Sequence, residues 1–176
     1  HEAKQIIGLS LDPAFDILFP DITDKQRQLM FQHYREQYML HDTTPSPLFS
    51  GVEQVLEQLK DRNIKLAVAT GKQRRGLARM FAETGLEKYF DTSRCADEAR
   101  SKPHPDMLKQ IITELGVNAE QAIMVGDTSH DLKMAQAINM PRVGVSHGAH
   151  PVSVLAQYQP LAIIDHLPEL TSLVLQ

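Results

Sequence analysis

The pattern of apolar and polar positions changes character near residue 45. Before that point, Thr23-Asp24-Lys25-Gln26 has the spacing of a capping box, in which a hydroxyl and an amide side chain satisfy each other's backbone donors at a helix start. Met30, Tyr34 and Tyr38 then recur at four-residue steps, with Phe31 beside them, so one helix face is apolar and predicts a partner helix. The first forty or so residues read as helical. Asp42-Thr43-Thr44-Pro45-Ser46-Pro47 interrupts the pattern as a linker, because each proline removes a backbone donor and clashes with a preceding turn.

Beyond the linker, helical and strand rhythms alternate. Ser50-Gly51-Val52-Glu53 predicts a second capping box, followed by a helix that buries Val52, Val55, Leu56 and Leu59 and ends near Asn63. Residues 64–69 form an apolar run of strand length. A helix carrying Leu77, Met80 and Phe81 follows, closed by Gly85, and then a weaker strand near 89–91. Pro105 suits a helix start, and Met107, Leu108, Ile111, Ile112 and Leu115 share one face until Gly116 stops it. Further strands are expected at 122–125, 142–145 and 161–164, with helices at about 129–138 and 168–175. This alternation predicts an α/β fold, a doubly wound, Rossmann-like parallel sheet with helices on both faces.

Composition narrows the partners. Among 176 residues, 42% are hydrophobic and 23% charged, an ordinary globular balance. The net charge of -4 argues against a nucleic-acid partner, which calls for clustered Lys and Arg. The one cysteine, Cys95, rules out an intrachain disulfide and a multi-cysteine metal site, so the cytoplasm is the expected compartment. No run has the length of a membrane-spanning helix, and no membrane partner is expected. The chain opens on His1-Glu2-Ala3-Lys4 rather than Met, which raises the expectation of a preceding segment.

In doubly wound sheets, ligands bind beyond the carboxyl ends of the strands. Three of the expected strand ends or following loops carry reactive groups. Thr70-Gly71-Lys72 offers a hydroxyl, a flexible amide and an ammonium to phosphate oxygens, although a Thr-Gly turn is also a routine helix entry. In Ser101-Lys102-Pro103-His104-Pro105-Asp106, two prolines stiffen the loop that presents Lys102; the alternative is a surface turn with a solvated lysine. Gly126-Asp127-Thr128-Ser129-His130-Asp131 is the richest. If Ser129 opens a helix, both carboxylates can face one site and suit Mg²⁺, a hard cation bound by one or two carboxylates plus substrate phosphate. The competing view makes them first-turn acids favoured by the helix dipole. His104, His130, His147 and His150 show no metal-ligand spacing, and Cys95 lies in no catalytic pattern.

In order and spacing these three segments resemble the haloacid-dehalogenase superfamily, in its phosphatase branch with a helical cap. Thr70 matches the second family motif, Lys102 in SKPHPD the third, and Asp127 with Asp131 in GDTSHD the fourth. ATGKQRRGL and GVSHGAH are further similar to phosphoglycolate-phosphatase-like members. The resemblance implies residues 1–46 as the remainder of the cap and 47–176 as the core. It implies Lys102 and Asp127 as catalytic residues, Thr70, Gly71 and Lys102 as phosphate ligands, and Asp127 and Asp131 as the Mg²⁺ site. The implied substrate is a small phosphorylated metabolite.

The family's first motif, DxD followed by GT on the central strand, is absent from this sequence. The resemblance therefore implies a nucleophilic aspartate and a central strand upstream of His1, and an inactive chain when 1–176 stands alone. Either that segment or a neighbouring chain would complete the sheet. The other readings left open are a non-catalytic phosphate- and metal-binding protein and a phosphosugar mutase of the same superfamily.

Overall fold

The structure, a computed structural model, describes residues 6–38, 44 and 47–175. Two helices come first, α1 (Leu11–Leu18) and α2 (Asp24–Glu36). The expected capping box is formed: Thr23 accepts from the Gln26 backbone while the Gln26 side chain accepts from the Thr23 backbone. The tyrosine stripe behaves differently from expectation, since no residue of α2 is buried. Helix α1 supplies the buried positions instead, Ala14 and Phe15, and Phe31 reaches them edge-on at 5.1 Å. Tyr34 and Tyr38 stack on each other at 6.1 Å. Most of the expected linker lies outside the described residues.

The second half alternates as predicted. Helix α3 (Val52–Asp61) is followed by β1 (Ala67–Ala69), α4 (Arg74–Thr84), β2 (Thr92–Arg94), α5 (Asp106–Leu115) and β3 (Met124–Gly126). Then come α6 (Ser129–Gln136), β4 (Arg142–Val145), the short α7 (Val152–Leu155), β5 (Ala162–Ile164) and α8 (Glu169–Val174). Two local expectations need correction. Helix α3 starts from Gly51, whose φ of 80° lies in the left-handed region, and no side chain caps it; Ser50 makes no capping box. The weak strand falls at Thr92–Arg94, not at 89–91, because Tyr89 is buried in a 3₁₀ turn and Asp91 spends its carboxylate on the Leu66 amide.

All strand pairings are parallel, in two ladders: β1 with β2, and β3 with β4 and β5 in that order. Among the described residues, β1 and β3 share no ladder. Side chains alternate across the strands with period two, and this sorts the core into two layers. On one face Val55 and Leu59 of α3 pack with Val143, Val145, Ile164 and Leu170, with Leu66 and Val125 alongside. On the other, Met107 and Leu108 of α5 pack with Met134, Ala135 and Met140, with Ala69 and Met124 alongside. Met124 and Val125 thus point to opposite layers. Burial of a side chain such as Met107, Leu132 or Met134, each 0% exposed, contributes about 1.5–3 kcal/mol. Helices on both faces of parallel strands establish the doubly wound α/β fold.

Candidate active site

Strand β3 delivers its chain to Asp127 and then turns at once into α6. The turn is held by a capping box in which the Thr128 hydroxyl accepts from the Asp131 amide at 3.3 Å and donates to Asp131 Oδ2 at 2.7 Å. The other oxygen, Oδ1, accepts from Lys102 Nζ at 2.6 Å. Both side chains of this ion pair are 6% exposed. Such a pair has little water to screen it, so its geometry is stiff and loss of either partner is costly. Gly126 makes the approach possible: a Cβ there would lie 2.4 Å from the Asp131 Cβ.

Asp127 is half-buried and braced from behind by the turn after β4. The Ala149 amide donates to its Oδ2 at 2.9 Å, and the His150 amide donates to its backbone oxygen at 3.1 Å. Gly148 presses so closely that a Cβ would lie 2.1 Å from the Asp127 Cβ. His150 closes the arrangement, its Nδ1 accepting from the Ser129 amide at 3.0 Å. GVSHGAH therefore acts as a backstop for Asp127 and for the start of α6.

The lysine loop is stiff for more reasons than its prolines. Arg100 donates its amide to Asp106 Oδ2 at 2.9 Å, and the Asp106 amide donates to His104 Nδ1 at 3.2 Å. Ser101, next to Lys102, accepts from the Ser10 amide at 3.1 Å and so ties the loop to the N-terminal segment.

On the β1 side, the Thr70 amide donates to Arg94 O and its hydroxyl accepts from the Lys72 amide at 3.1 Å. A Cβ on Gly71 would lie 2.7 Å from the carbonyl oxygens of both Gly8 and Leu9, and one on Gly8 would lie 3.1 Å from Thr128 Oγ1. The strand ends are thus brought together across a Gly8–Leu9 bridge. Among the described residues, no hydrogen bond joins Thr70 or Gly71 directly to Lys102, Asp127 or Asp131. Arg74 is turned away, in an ion pair with Glu98 and hydrogen bonds to Ser93. That pairing holds Glu98 below the usual carboxylate range. Burial pushes the Cys95 thiol up to about 11, which leaves it an inert packed residue.

The expected shared carboxylate site is only partly formed. Both Asp131 oxygens are occupied by Lys102 and Thr128, because this acid sits at the N3 position of α6 and faces the buried lysine. Of these two acids, Asp127 keeps its Oδ1 without a hydrogen-bond partner among the described residues, a hard oxygen of the kind Mg²⁺ takes. Among the described residues, no group of three His, Cys, Asp or Glu forms a self-sufficient cage. That donor set fits a cation that keeps several waters and takes its remaining ligands from substrate. Thr128 and Gly148 carry no signal in the motifs beyond a Thr directly before the Ser129 helix start, and His150, which the sequence offers only as a histidine without metal-ligand spacing, serves as a hydrogen-bond acceptor for the Ser129 amide.

The profile of the haloacid dehalogenase-like hydrolases matches residues 1–145. The chain belongs to this family. Among curated relatives, a probable phosphatase, IndB, of Dickeya dadantii is 36% identical over 94% of this chain and 74% of its own length. The pyrophosphatase PpaX of Bacillus pumilus is 30% identical over 99% of this chain and 79% of its own. A haloacid dehalogenase-like hydrolase structure from Bacteroides fragilis superimposes with a TM-score of 0.88 at 24% identity, covering 96% of this chain and 81% of that one, and so supports the fold.

Proposed function

We propose that the chain forms most of a Mg²⁺-dependent phosphate monoester hydrolase whose substrate is a small phosphorylated metabolite. The observation that carries this reading is the buried Lys102–Asp131 pair, set one helical turn from Asp127 at the end of β3. The names of the two curated relatives, a probable phosphatase and a pyrophosphatase, agree with it.

Phosphoryl transfer asks a protein mainly for positioning and electrostatic stabilisation. Lys102 places a fixed positive charge where phosphoryl oxygens gain negative charge, and Asp131 keeps that ammonium from rotating away. The Thr70 hydroxyl and Gly71 amide hold the phosphate from the other side. Asp127 would hold Mg²⁺, with Asp131 in support through Lys102 and Thr128; when bound, the ion neutralises the phosphoryl oxygens.

The nucleophile belongs to polypeptide upstream of His1. An aspartate oxygen there attacks phosphorus, the substrate alkoxide leaves and takes up a proton, and water then hydrolyses the aspartyl-phosphate. Two easier displacements replace one hard one. The strand bearing this aspartate would lie between β1 and β3, pairing backbone groups that otherwise cost about 1–3 kcal/mol each when buried unsatisfied.

The test assays purified 1–176 and the same chain extended upstream on p-nitrophenyl phosphate with Mg²⁺. The extended chain is expected to turn over and to stop in EDTA, and 1–176 to show no turnover. Equal rates for the two would place the nucleophile within 1–176 and overturn the proposal. Inactivity of both, with retained Mg²⁺ binding, would favour a binding protein.

A further inference from the structure

The turn after β4 does more than press on Asp127. Its Ala149–His150 step meets three groups of the chain that leaves β3. The Ala149 amide donates to Asp127 Oδ2 at 2.9 Å, the His150 amide donates to the Asp127 backbone oxygen at 3.1 Å, and His150 Nδ1 accepts from the Ser129 amide at 3.0 Å. His150 is buried, with its ring edge-on to His130 at 5.4 Å. At the start of α6, the Thr128 amide donates to Asp131 Oδ2 and the Asp131 amide to Thr128 Oγ1, so both are satisfied within the helix's own first turn. The Ser129 amide instead finds its acceptor on another element.

That amide has a natural rival acceptor. An aspartate side chain commonly accepts from the backbone amide two residues on, forming an Asx turn. For Asp127 that donor is the Ser129 amide. Because Oδ2 is already held by Ala149, such a turn would spend Oδ1, the oxygen otherwise open to a cation. An imidazole nitrogen brought in from the turn after β4 satisfies the same amide and spares that oxygen. We infer that His150 is a positioning residue for Asp127: by accepting the Ser129 amide it prevents the local turn and keeps one carboxylate oxygen available to a divalent cation. This rests on the reading of Asp127 as the Mg²⁺ ligand. The backbone also offers a way to remove the rival bond. Thr128, with φ -122° and ψ 154°, is extended as a following proline requires, and Ser129 is the first helical residue, where a proline fits the helix.

The experiment titrates MgCl₂ into the full-length protein by calorimetry, with thermal melts alongside. His150→Leu removes the acceptor and should weaken Mg²⁺ binding about tenfold, the lower end of the scale for a group that orients a metal ligand. His150→Asn offers an amide oxygen in place of Nδ1 and should keep most of the affinity. Ser129→Pro added to His150→Leu deletes the competing donor and should restore binding, and Ser129→Pro alone should leave it unchanged. A merely structural role for His150 predicts a lower melting temperature in His150→Leu with Mg²⁺ affinity intact, or a loss that neither His150→Asn nor the added Ser129→Pro repairs; either result would overturn the inference. Weakening by Ser129→Pro alone would do the same, and that measurement stands even where His150→Leu does not fold. Asp127→Ala separates the two readings. Unchanged Mg²⁺ affinity in that variant sinks the proposed cation site and this inference with it, whereas affinity lost in Asp127→Ala and kept in His150→Leu sinks this inference alone.

Discussion

The two sides of the site are built on different principles. On the β3 side, Asp127, Thr128, Asp131, Lys102 and His150 are locked by hydrogen bonds of 2.6–3.3 Å, and glycines admit backbone against carboxylate. On the β1 side, Thr70, Gly71 and Lys72 are half-buried, and their contacts run to the N-terminal helical segment through Gly8, Leu9 and Tyr38. The first side fixes charges in place before any ligand arrives, which is what stabilising a transition state requires. The second couples the Thr70–Gly71–Lys72 turn to a separate structural element, so its position depends on how that element packs.

The largest effect should come from breaking the locked side at its centre. Lys102→Met leaves Asp131 buried without its cation and should cost about 3–5 kcal/mol, read from urea denaturation. Lys102→Met combined with Asp131→Leu should recover part of that loss; no recovery would mean the pair is not coupled. Asp127→Ala should lower turnover of the full-length enzyme by about 10²–10³-fold, the usual scale for one transition-state charge contact, and should abolish Mg²⁺ binding by calorimetry. Unchanged Mg²⁺ affinity would move the cation site elsewhere.

Glycines sharpen the contrast. Gly148→Ala forces the turn away from Asp127 and should destabilise by about 1–3 kcal/mol while lowering activity. Gly76, in α4, faces Tyr38 Cε1 at 3.5 Å from a built Cβ, an ordinary contact, so Gly76→Ala should be neutral or stabilise by about 0.5–1 kcal/mol. Thermal melts that ranked these two the other way would dissolve the distinction between a tight and a yielding side.

The smallest effect is electrostatic and lies below the β1–β2 ladder. The Leu66 amide, aided by Lys60, holds the Asp91 carboxyl below its ordinary 3.8. A depressed folded-state value means its stabilisation is complete above that range and is lost as pH falls through the lower folded value. Asp91→Asn should therefore cost about 1 kcal/mol or less at neutral pH, since the pair is a third exposed, and flatten the acid limb of a stability profile. A mutant profile parallel to wild type down to the acid limb would remove Asp91 from the account.

Much of the fold was legible because its signals are local. The Thr23 capping box and Gly85 and Gly116 as helix stops each depend on a few consecutive residues, and each appears where the pattern placed it. The Ser50 box failed because Gly51 could adopt a left-handed start that a side-chain cap was not needed to hold. The tyrosine stripe misled because periodicity shows that a face is apolar, not which partner covers it.

By itself the sequence determined the α/β order, the loaded strand ends and the resemblance that the family match bears out, all carried by contiguous motifs. Only the tertiary structure decided which charges meet. Lys102 and Asp131 are 29 residues apart, Tyr38 and Lys72 are 34 apart, and Ser10 and Ser101 are 91 apart. Local pattern fixes a side chain's face on its own element, whereas such pairings depend on how elements pack across a core, where burial and the need to satisfy every buried polar group select the partner.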